Sequence, residues 1–412
     1  MTVSDHRQLA ILGGTPAFDR PLHVGAPNQG DRDMFLSLVG EILDRNWLTN
    51  DGPVVQEFER QVADRCGVRH CVSMANGTIA LQAAIKACRL TGEVILPSFT
   101  FVATAHALKW QGIKPVFCDV CPDRHTIDPG SVRSLITDRT SAVMGVHLWG
   151  EPCDIDELQN VARQHDLTLL FDAAHAFGSS YAGRPIGCFG RCEVLSFHAT
   201  KFCQSGEGGA VVTNDDALAA ELKDIRNFGF RGSDHVELVG INGKMSEVSA
   251  AMGLTSLASV DDFVEVNKSN YECYRQHLNA VPGVDVYRFD SQQARSYQYV
   301  VALVDPDICR LARDEIVCAL HAENVMARRY FFPGVHRMEA YPHQCRLPNT
   351  ERVADQVLVL PTGTNTTHDA IAEVCEIVKQ VCLAGDDVRP AIVQQNLSPT
   401  GIKIVHDYQG RK

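Results

Sequence analysis

One lysine of this chain lies where its amine could react with a carbonyl group. Lys201 ends the run 195–201, in which a strand-like apolar segment is followed by an imidazole and a hydroxyl, and a glycine cluster with an apolar run follows at 206–212. A lysine held among such groups can form a Schiff base with the aldehyde of a phosphorylated cofactor. The sequence therefore predicts Lys201 as a covalent anchor.

A carboxylate of the kind that pyridoxal phosphate needs follows another apolar run. Residues 167–171 are typical of a short buried strand, and Asp172 comes directly after them. Ligands of open α/β sheets bind at the carboxyl ends of the strands. A carboxylate there could pair with the pyridine nitrogen and keep it protonated, which makes the ring an electron sink. Asp172 is the predicted partner of that nitrogen.

A third segment has the pattern of a phosphate-binding turn. Residues 72–80 run from a strand through Asn76, Gly77 and Thr78 into a predicted helix at 79–88. Glycine lets the backbone approach an anion closely, and the hydroxyl of Thr78 and the first amides of the helix can bind a phosphate. Each feature also has a structural explanation when it is taken alone. The turn is more often an ordinary turn, Asp172 could be a helix cap, and Lys201 could be a surface residue.

The elements that must position these residues are those of an α/β protein. Strand-like and helical patterns alternate from Cys71 to Thr213, which predicts a mostly parallel sheet covered by helices. Further helices are predicted at 216–227 and 246–276, and the segment 297–304 is placed in the smaller C-terminal domain. We predict an N-terminal arm (1–30), a large domain (31–262), a smaller C-terminal α+β domain (263–385) and a tail (386–412).

Composition limits the partners of the chain. Its 412 residues are 45% hydrophobic and 21% charged, with a formal net charge of -12, which disfavours nucleic acid and anionic membranes as partners. No stretch approaches the ~20 apolar residues of a membrane-spanning helix. The 15 cysteines show no zinc-ribbon spacing, and residues 1–6 do not resemble a signal peptide. We therefore expect reduced thiols, no metal site and a cytoplasmic location.

These segments together resemble the sugar aminotransferases of the DegT/StrS type. The resemblance runs from about Leu12 to Val381 and includes five further motifs in the family's order, at residues 47–53, 97–104, 146–150, 226–229 and 240–247. It implies the aspartate-aminotransferase-like fold, fold type I of the pyridoxal-phosphate enzymes. Residues 202–205 depart from the family's usual pattern.

The resemblance also implies catalytic roles for three residues. Lys201 would bind the cofactor covalently and shuttle the proton, and Asp172 would bind the ring nitrogen. His175 stands where many relatives have glutamine and would contact the ring hydroxyl. The same carry-over assigns cofactor contacts to Phe101 on the ring face, to Gly77, Thr78 and Ser196 at the phosphate, and to Asn227, which would reach the phosphate from the neighbouring subunit of a homodimer.

The resemblance implies a reaction and leaves the acceptor open. Glutamate is the expected amino donor, and segments 22–25, 46–50 and 328–339 favour carbon 4 of a thymidine-diphosphate 4-keto-6-deoxyhexose as the acceptor. A 3-keto sugar, a ketocyclitol or another natural-product ketone would use the same Lys201 and Asp172. A pyridoxamine-dependent dehydratase is disfavoured because Lys201 is present, and a non-catalytic cofactor-binding protein remains the alternative of another class.

Overall fold

The computed structural model of the protein describes residues 8–341 and 345–399. Its α-helices are α1 (Arg32–Arg45), α2 (Pro53–Cys66), α3 (Gly77–Ala87), α4 (Val102–Lys109), α5 (Pro129–Leu135), α6 (Ile155–Gln164), α7 (Asp216–Arg226), α8 (Glu247–Ala258), α9 (Val260–Leu278), α10 (Pro306–Cys309), α11 (Arg313–Ala322), α12 (Pro348–Gln356), α13 (His368–Leu383) and α14 (Gly385–Gln394). Its strands are β1 (Leu22–His23), β2 (His70–Met74), β3 (Glu93–Pro97), β4 (Lys114–Cys118), β5 (Thr140–Val146), β6 (Thr168–Asp172), β7 (Ser180–Tyr181), β8 (Arg184–Pro185), β9 (Glu193–Ser196), β10 (Gly209–Thr213), β11 (Val284–Val286), β12 (Val300–Val304), β13 (Val325–Met326) and β14 (Val357–Leu360).

A seven-stranded sheet organises the larger part of the chain. Its order is β2-β10-β9-β6-β5-β3-β4, and all neighbours are parallel except β10, which runs antiparallel to β2 and β9. Separate apolar clusters cover its two faces, and β3 is buried along its whole length. Such burial is typical of a parallel sheet between helical layers. The predicted α/β fold with a mostly parallel sheet is confirmed.

A second core lies in the C-terminal part. The antiparallel sheet β11-β12-β14 packs with α9, α11 and α13 around an apolar cluster that also takes in Leu9 and Ile11 from the N-terminal segment. A two-residue parallel pairing joins β1 to β13. The N-terminal segment is therefore attached to the C-terminal core by both packing and backbone hydrogen bonds.

One predicted helix differs from the structure. The single helix predicted at 246–276 is wrong, because α8 ends at Ala258 and α9 begins at Val260, and Ser259 between them has φ -106° and ψ 6°. In the segment 297–304 of the C-terminal part, β12 begins only at Val300. Tyr297 has φ +48°, which is incompatible with an extended strand.

The first part of the predicted tail is helical and packed. Val388 in α14 is fully buried in the C-terminal core, and the guanidinium of Arg389 donates to Glu315 at 2.6 Å. The side chain of Gln395 donates to the carbonyl of Ile11 at 2.8 Å. Residues 400–412 of the predicted tail lie outside the described residues. No helix in the described ranges is long and apolar enough to cross a membrane.

The contact between α2 and α8 yields a prediction about stability. A Cβ at Gly253 would lie 2.5 Å from the ring of the fully buried Phe58. We expect Gly253→Ala to lower the free energy of unfolding by about 1–3 kcal/mol, because the packed ring cannot move aside. Urea denaturation at a fixed protein concentration measures this change.

Gly40 in α1 provides the matched control. A Cβ there would meet nothing within 4 Å, so Gly40→Ala should raise the free energy of unfolding by about 0.5–1 kcal/mol through the higher helix propensity of alanine. Equal effects of the two substitutions would contradict the close packing assigned to Gly253.

Candidate active site

Four of the predicted segments end at the same edge of the large sheet. Asp172 is the last residue of β6, Ser196 is the last residue of β9, Gly77 follows β2 through a short turn, and Phe101 follows β3. These four strands run in one direction, so their carboxyl ends meet at one edge. The structure therefore brings together residues that are up to about 120 positions apart in the sequence, as ligand sites of open α/β sheets require.

Asp172 is a buried carboxylate with few partners. Its side chain accepts hydrogen bonds from the hydroxyl of Thr104 at 2.8 Å and from the backbone amide of Ala174 at 3.1 Å. Burial raises the pKa of Asp172, and these two hydrogen bonds and the charge of Lys201 partly oppose that shift. A cation placed beside this carboxylate would be strongly favoured.

Lys201 lies in the loop that joins β9 to β10. Backbone hydrogen bonds from Phe197 to Gly208 (2.8 Å) and from Ala199 to Gly206 (2.7 Å) close the loop. The amine of Lys201 donates to the hydroxyl of Tyr299 at 3.4 Å. Burial lowers the pKa of Lys201 to about 8, although nearby Tyr330 and Asp172 act in the opposite direction. A large fraction of this amine is therefore neutral at mildly alkaline pH.

The start of α3 forms a narrow cradle next to β9. The side chain of Asn76 caps the helix by accepting from the amide of Ile79 at 2.9 Å. A Cβ at Gly77 would lie 3.2 Å from Cβ of Ser196 and 3.3 Å from its hydroxyl. Thr78 is exposed beside them. The free amides of a helix N-terminus and two hydroxyls at one point are suited to a phosphate group.

Phe101 is exposed at the edge of this site. It precedes the first residue of α4, and 58% of its surface is accessible, although residues 93–100 before it are buried. Its ring centroid lies 6.2 Å from that of Phe331. Phe101 is thus not part of the core, and its ring has a face available for a planar ligand.

His175 lies in a wall of aromatic rings. Its imidazole is nearly parallel to the indole of Trp149 (22°) and to the ring of Phe331 (20°), and its Nε2 lies 3.4 Å from the hydroxyl of Tyr299. Burial lowers the pKa of His175 well below its ordinary value, with the positive charge of Lys201 acting in the same direction. Its Nδ1 is buried and has no hydrogen-bond partner among the described residues.

Asn227 was also predicted as a site residue, but its contacts within the chain are with Lys244 and Asn242 and not with the residues described above. It forms the C-terminal cap of α7, its side-chain oxygen accepts from the amine of Lys244 at 3.1 Å, and its backbone pairs with Asn242. The loop that follows leaves Phe228, Val236 and Val239 exposed. Within one chain, Asn227 is thus part of a surface beside the site.

The sequence did not single out several residues that complete the site. Thr104 supports Asp172 from α4, Tyr299 contacts Lys201 and His175 from the C-terminal sheet, and Tyr330 acts electrostatically on Lys201. Thr100 precedes α4 and Thr104 lies in its first turn, their hydroxyls are 2.9 Å apart, and their spacing of four positions was a usable signal. No local pattern indicated Tyr299, and Tyr330 was named only as part of segment 328–339.

The two histidines near the site have scaffold contacts. His147 is fully buried, accepts from the amide of Cys153 through Nδ1 at 3.1 Å and lies 3.3 Å from the carboxylate of Glu193 through Nε2. His198 contacts the hydroxyl of Thr200 at 2.8 Å. Among the described residues, no group of three or more histidine, cysteine, aspartate or glutamate side chains could hold a metal ion.

The donor set fits pyridoxal phosphate. The cradle at Gly77 and Ser196 suits its phosphate, the buried carboxylate of Asp172 suits a protonated ring nitrogen, and the unpartnered Nδ1 of His175 is free for a ring oxygen. The amine of Lys201 lies among these groups, and its lowered pKa suits attack on an aldehyde.

Comparison with known proteins gives the same assignment independently. The model of the DegT/DnrJ/EryC1/StrS aminotransferase family matches residues 30–379. A dTDP-4-amino-4,6-dideoxy-D-glucose transaminase from Shigella dysenteriae is 35% identical over 88% of this chain and 100% of its own length. A UDP-N-acetyl-3-dehydro-alpha-D-glucosamine 3-aminotransferase from Acidithiobacillus ferrooxidans is 31% identical over 85% of this chain and 94% of its own length.

A solved structure is similar over nearly the whole chain. The crystal structure of DesI in the presence of its TDP-sugar product has a TM-score of 0.90 and 47% identity, and the match covers 93% of this chain and 98% of that one. The predicted aspartate-aminotransferase-like fold is confirmed.

The pKa of Lys201 leads to a prediction for cofactor binding. The rate at which the apoprotein combines covalently with pyridoxal phosphate should rise with pH and reach half its plateau at about 8, because only the neutral amine attacks the aldehyde. Stopped-flow absorbance measures this rate. As one control, Lys201→Ala should form no adduct that borohydride can trap. As the other, the reaction of a blocked lysine in solution should have its midpoint near the ordinary lysine pKa of 10.5. A protein midpoint near that value would contradict the burial of the amine.

Proposed function

The chain belongs to the DegT/DnrJ/EryC1/StrS aminotransferase family and is a pyridoxal-phosphate-dependent aminotransferase, and on this premise we propose its substrates. The amino group of glutamate is transferred to carbon 4 of a thymidine-diphosphate 4-keto-6-deoxyhexose. The observation that carries the proposal is the 47% identity to DesI, whose crystal structure was analysed in the presence of its TDP-sugar product. The Shigella relative, named for a dTDP-linked 4-amino sugar, supports it.

Two of the three segments that favoured this acceptor in the sequence, 22–25 and 328–339, have residues close to the lysine loop. A Cβ at Gly25 would lie 3.0 Å from Cβ of Thr200, so segment 22–25 lies against the lysine loop. Tyr330 of segment 328–339 acts electrostatically on Lys201, and His336 of the same segment contacts the hydroxyl of Ser98 at 2.6 Å. These positions are suited to contacting an acceptor bound near the amine.

Two residues carry the proton chemistry in this proposal. Bound pyridoxal phosphate supplies an electron sink that stabilises negative charge on the carbon bearing the amino group. The neutral form of Lys201, once released from the cofactor, takes a proton from that carbon of the donor and returns one to the acceptor. Asp172 remains ionised beside the ring nitrogen and holds a proton there, which compensates the cost of burying its own charge.

The remaining residues bind and orient. Gly77, Thr78 and Ser196, at the start of α3 and the end of β9, would hold the phosphate, and the exposed Phe101 would cover a face of the ring. His175, within the aromatic wall, would contact the ring hydroxyl. Because these groups come from separate parts of the chain, together they would orient the cofactor relative to Lys201.

The diphosphate of the proposed acceptor is anionic. Because the chain as a whole is acidic, individual arginine side chains near the site must provide the positive charge that binds it. The sequence offers Arg231, Arg328 and Arg329 for this contact. Arg231 is paired with Asp224 and Glu237, and Arg329 is paired with Asp314. Arg328 is exposed, lies 5.5 Å over the ring of Tyr330 and has no ion pair with any residue of the described ranges. Arg328 is therefore the best placed of the three to meet a nucleotide phosphate.

An acceptor with a keto group at carbon 3 is the second candidate. The Acidithiobacillus relative is named for amination at carbon 3 of a UDP sugar. The two candidates differ in the carbon presented to Lys201 and share the same proton chemistry.

A half-reaction separates these candidates. Protein loaded with pyridoxamine phosphate should consume the thymidine-diphosphate 4-keto-6-deoxyhexose at least about tenfold faster than its 3-keto isomer, a difference of about 1.4 kcal/mol in barrier. The return of the aldehyde cofactor is followed by absorbance and the amino sugar by mass spectrometry. A uridine-diphosphate 4-keto sugar, used in place of the thymidine-diphosphate sugar, tests whether the protein selects the nucleotide base. Faster turnover of the 3-keto isomer would overturn the assignment to carbon 4.

The working unit in this proposal is a homodimer with shared sites, located in the cytoplasm. Asn227 reaches the phosphate of the partner's cofactor from a surface that exposes Phe228, Val236 and Val239, and such exposed apolar side chains are typical of interfaces. The free cysteines of the chain suit a reducing compartment.

Complementation tests the shared site. Lys201→Ala and Asn227→Asp chains, each inactive alone, should regain up to about one quarter of wild-type activity when mixed, because half of the dimers are mixed and each has one intact site. Mass measurement verifies the mixed dimers.

The matched control combines Lys201→Ala with Asp172→Asn. Both residues belong to the same site of one chain, so every site in the mixed dimer carries a lesion and no activity should return. Failure of the Lys201→Ala and Asn227→Asp mixture to regain activity, with mixed dimers present, would assign Asn227 to its own subunit.

A further inference from the structure

The hydroxyl of Tyr299 lies between two polar groups of the active site. It is 3.4 Å from the amine of Lys201 and 3.4 Å from Nε2 of His175. The tyrosine is 3% exposed, and its ring packs edge-on against Trp149 and Tyr330, with centroid distances of 5.7 and 5.9 Å. The hydroxyl is therefore fixed in place by rings on more than one side.

The chemistry of the two neighbours determines which way the hydrogen bonds run. Below its pKa of about 8, the side chain of Lys201 is an ammonium group, which can only donate. The oxygen of Tyr299 must then accept from Lys201. Burial raises the pKa of Tyr299, so the phenol keeps its proton at neutral pH and can donate it to His175.

This direction selects one form of the imidazole. Burial lowers the pKa of His175 well below its ordinary value, so the ring is neutral and carries a single proton. If Nε2 accepts from Tyr299, that proton must be on Nδ1. Nδ1 is the buried nitrogen that has no partner among the described residues.

We propose that Tyr299 is a positioning residue, whose hydroxyl accepts from Lys201 and donates to Nε2 of His175, so that the imidazole proton is held on Nδ1. His175 then presents an N–H donor from the aromatic wall. With the placement of His175 given under the proposed function, this donor faces the ring oxygen of the cofactor. The inference about the proton on His175 concerns the chain alone and does not depend on the acceptor.

Nitrogen NMR of the imidazole tests the inference without cofactor. Full-length apoprotein labelled with 15N in its histidines is measured at about pH 7, and the His175 signals are assigned by their loss in His175→Gln. We expect Nδ1 to be protonated and Nε2 to be bare. A wild-type ring protonated on Nε2 overturns the proposal, and this result needs no variant of Tyr299.

Variants of two buried tyrosines sharpen the test. Tyr299→Phe should move proton population from Nδ1 to Nε2, because the donor to Nε2 is gone. Tyr274→Phe is the matched control, since its hydroxyl is also buried but donates to the carbonyl of Pro361 at 2.8 Å, in the C-terminal core. It should leave His175 as in the wild type. An unchanged ring in Tyr299→Phe contradicts the proposal.

A double-mutant cycle tests the consequence for turnover. Tyr299→Phe should lower kcat about tenfold, the scale of one neutral hydrogen bond, and leave the KM for glutamate within about twofold. A glutamine amide always has N–H donors, so it does not need Tyr299 to place a proton. In a His175→Gln background, Tyr299→Phe should therefore lower kcat by less than about twofold. Equal losses in both backgrounds would show that Tyr299 acts independently of His175 and would overturn the inference.

Discussion

The site depends on keeping a carboxylate and an amine out of water at one edge of a parallel sheet. Asp172 is held by β6 and Lys201 by the loop after β9, and these strands are neighbours in the sheet. Burial raises the pKa of the first group and lowers the pKa of the second, so each charged form is less favourable than in water. A cationic ring bound beside the carboxylate would stabilise the charged form of Asp172. An aldehyde bound beside the amine would react with the neutral form of Lys201.

The surrounding structure maintains this burial. Thr104 and the amide of Ala174 give Asp172 the hydrogen bonds that a buried carboxylate requires. On the other side, Trp149 and Phe331 are stacked with an interplanar angle of 4°, and both contact the ring of His175. Trp149 and His175 follow β5 and β6 of the large sheet, whereas Phe331 lies between β13 and α12, so the C-terminal part of the chain contributes directly to this aromatic wall.

The sequence predicted those parts that depend on local patterns. Alternating strands and helices indicated the α/β fold, and an apolar run ending in a carboxylate correctly placed Asp172 at the end of β6. The break at Ser259 was missed because the helical pattern continues on both sides of it, and tertiary structure overrode that local pattern. Tyr299 was missed as a site residue because its contact with Lys201 spans 98 positions, and no local signal encodes such a contact.

In the proposed mechanism, the buried Asp172 keeps the ring nitrogen of the cofactor protonated. The most direct test is 15N NMR of the holoenzyme carrying pyridoxal phosphate labelled at that nitrogen, compared between wild type and Asp172→Asn. We expect a protonated nitrogen in the wild type whose signal does not change between about pH 6 and about pH 9, and an unprotonated one in the variant. An unprotonated nitrogen in the wild-type protein, or the same signal in both proteins, would contradict it.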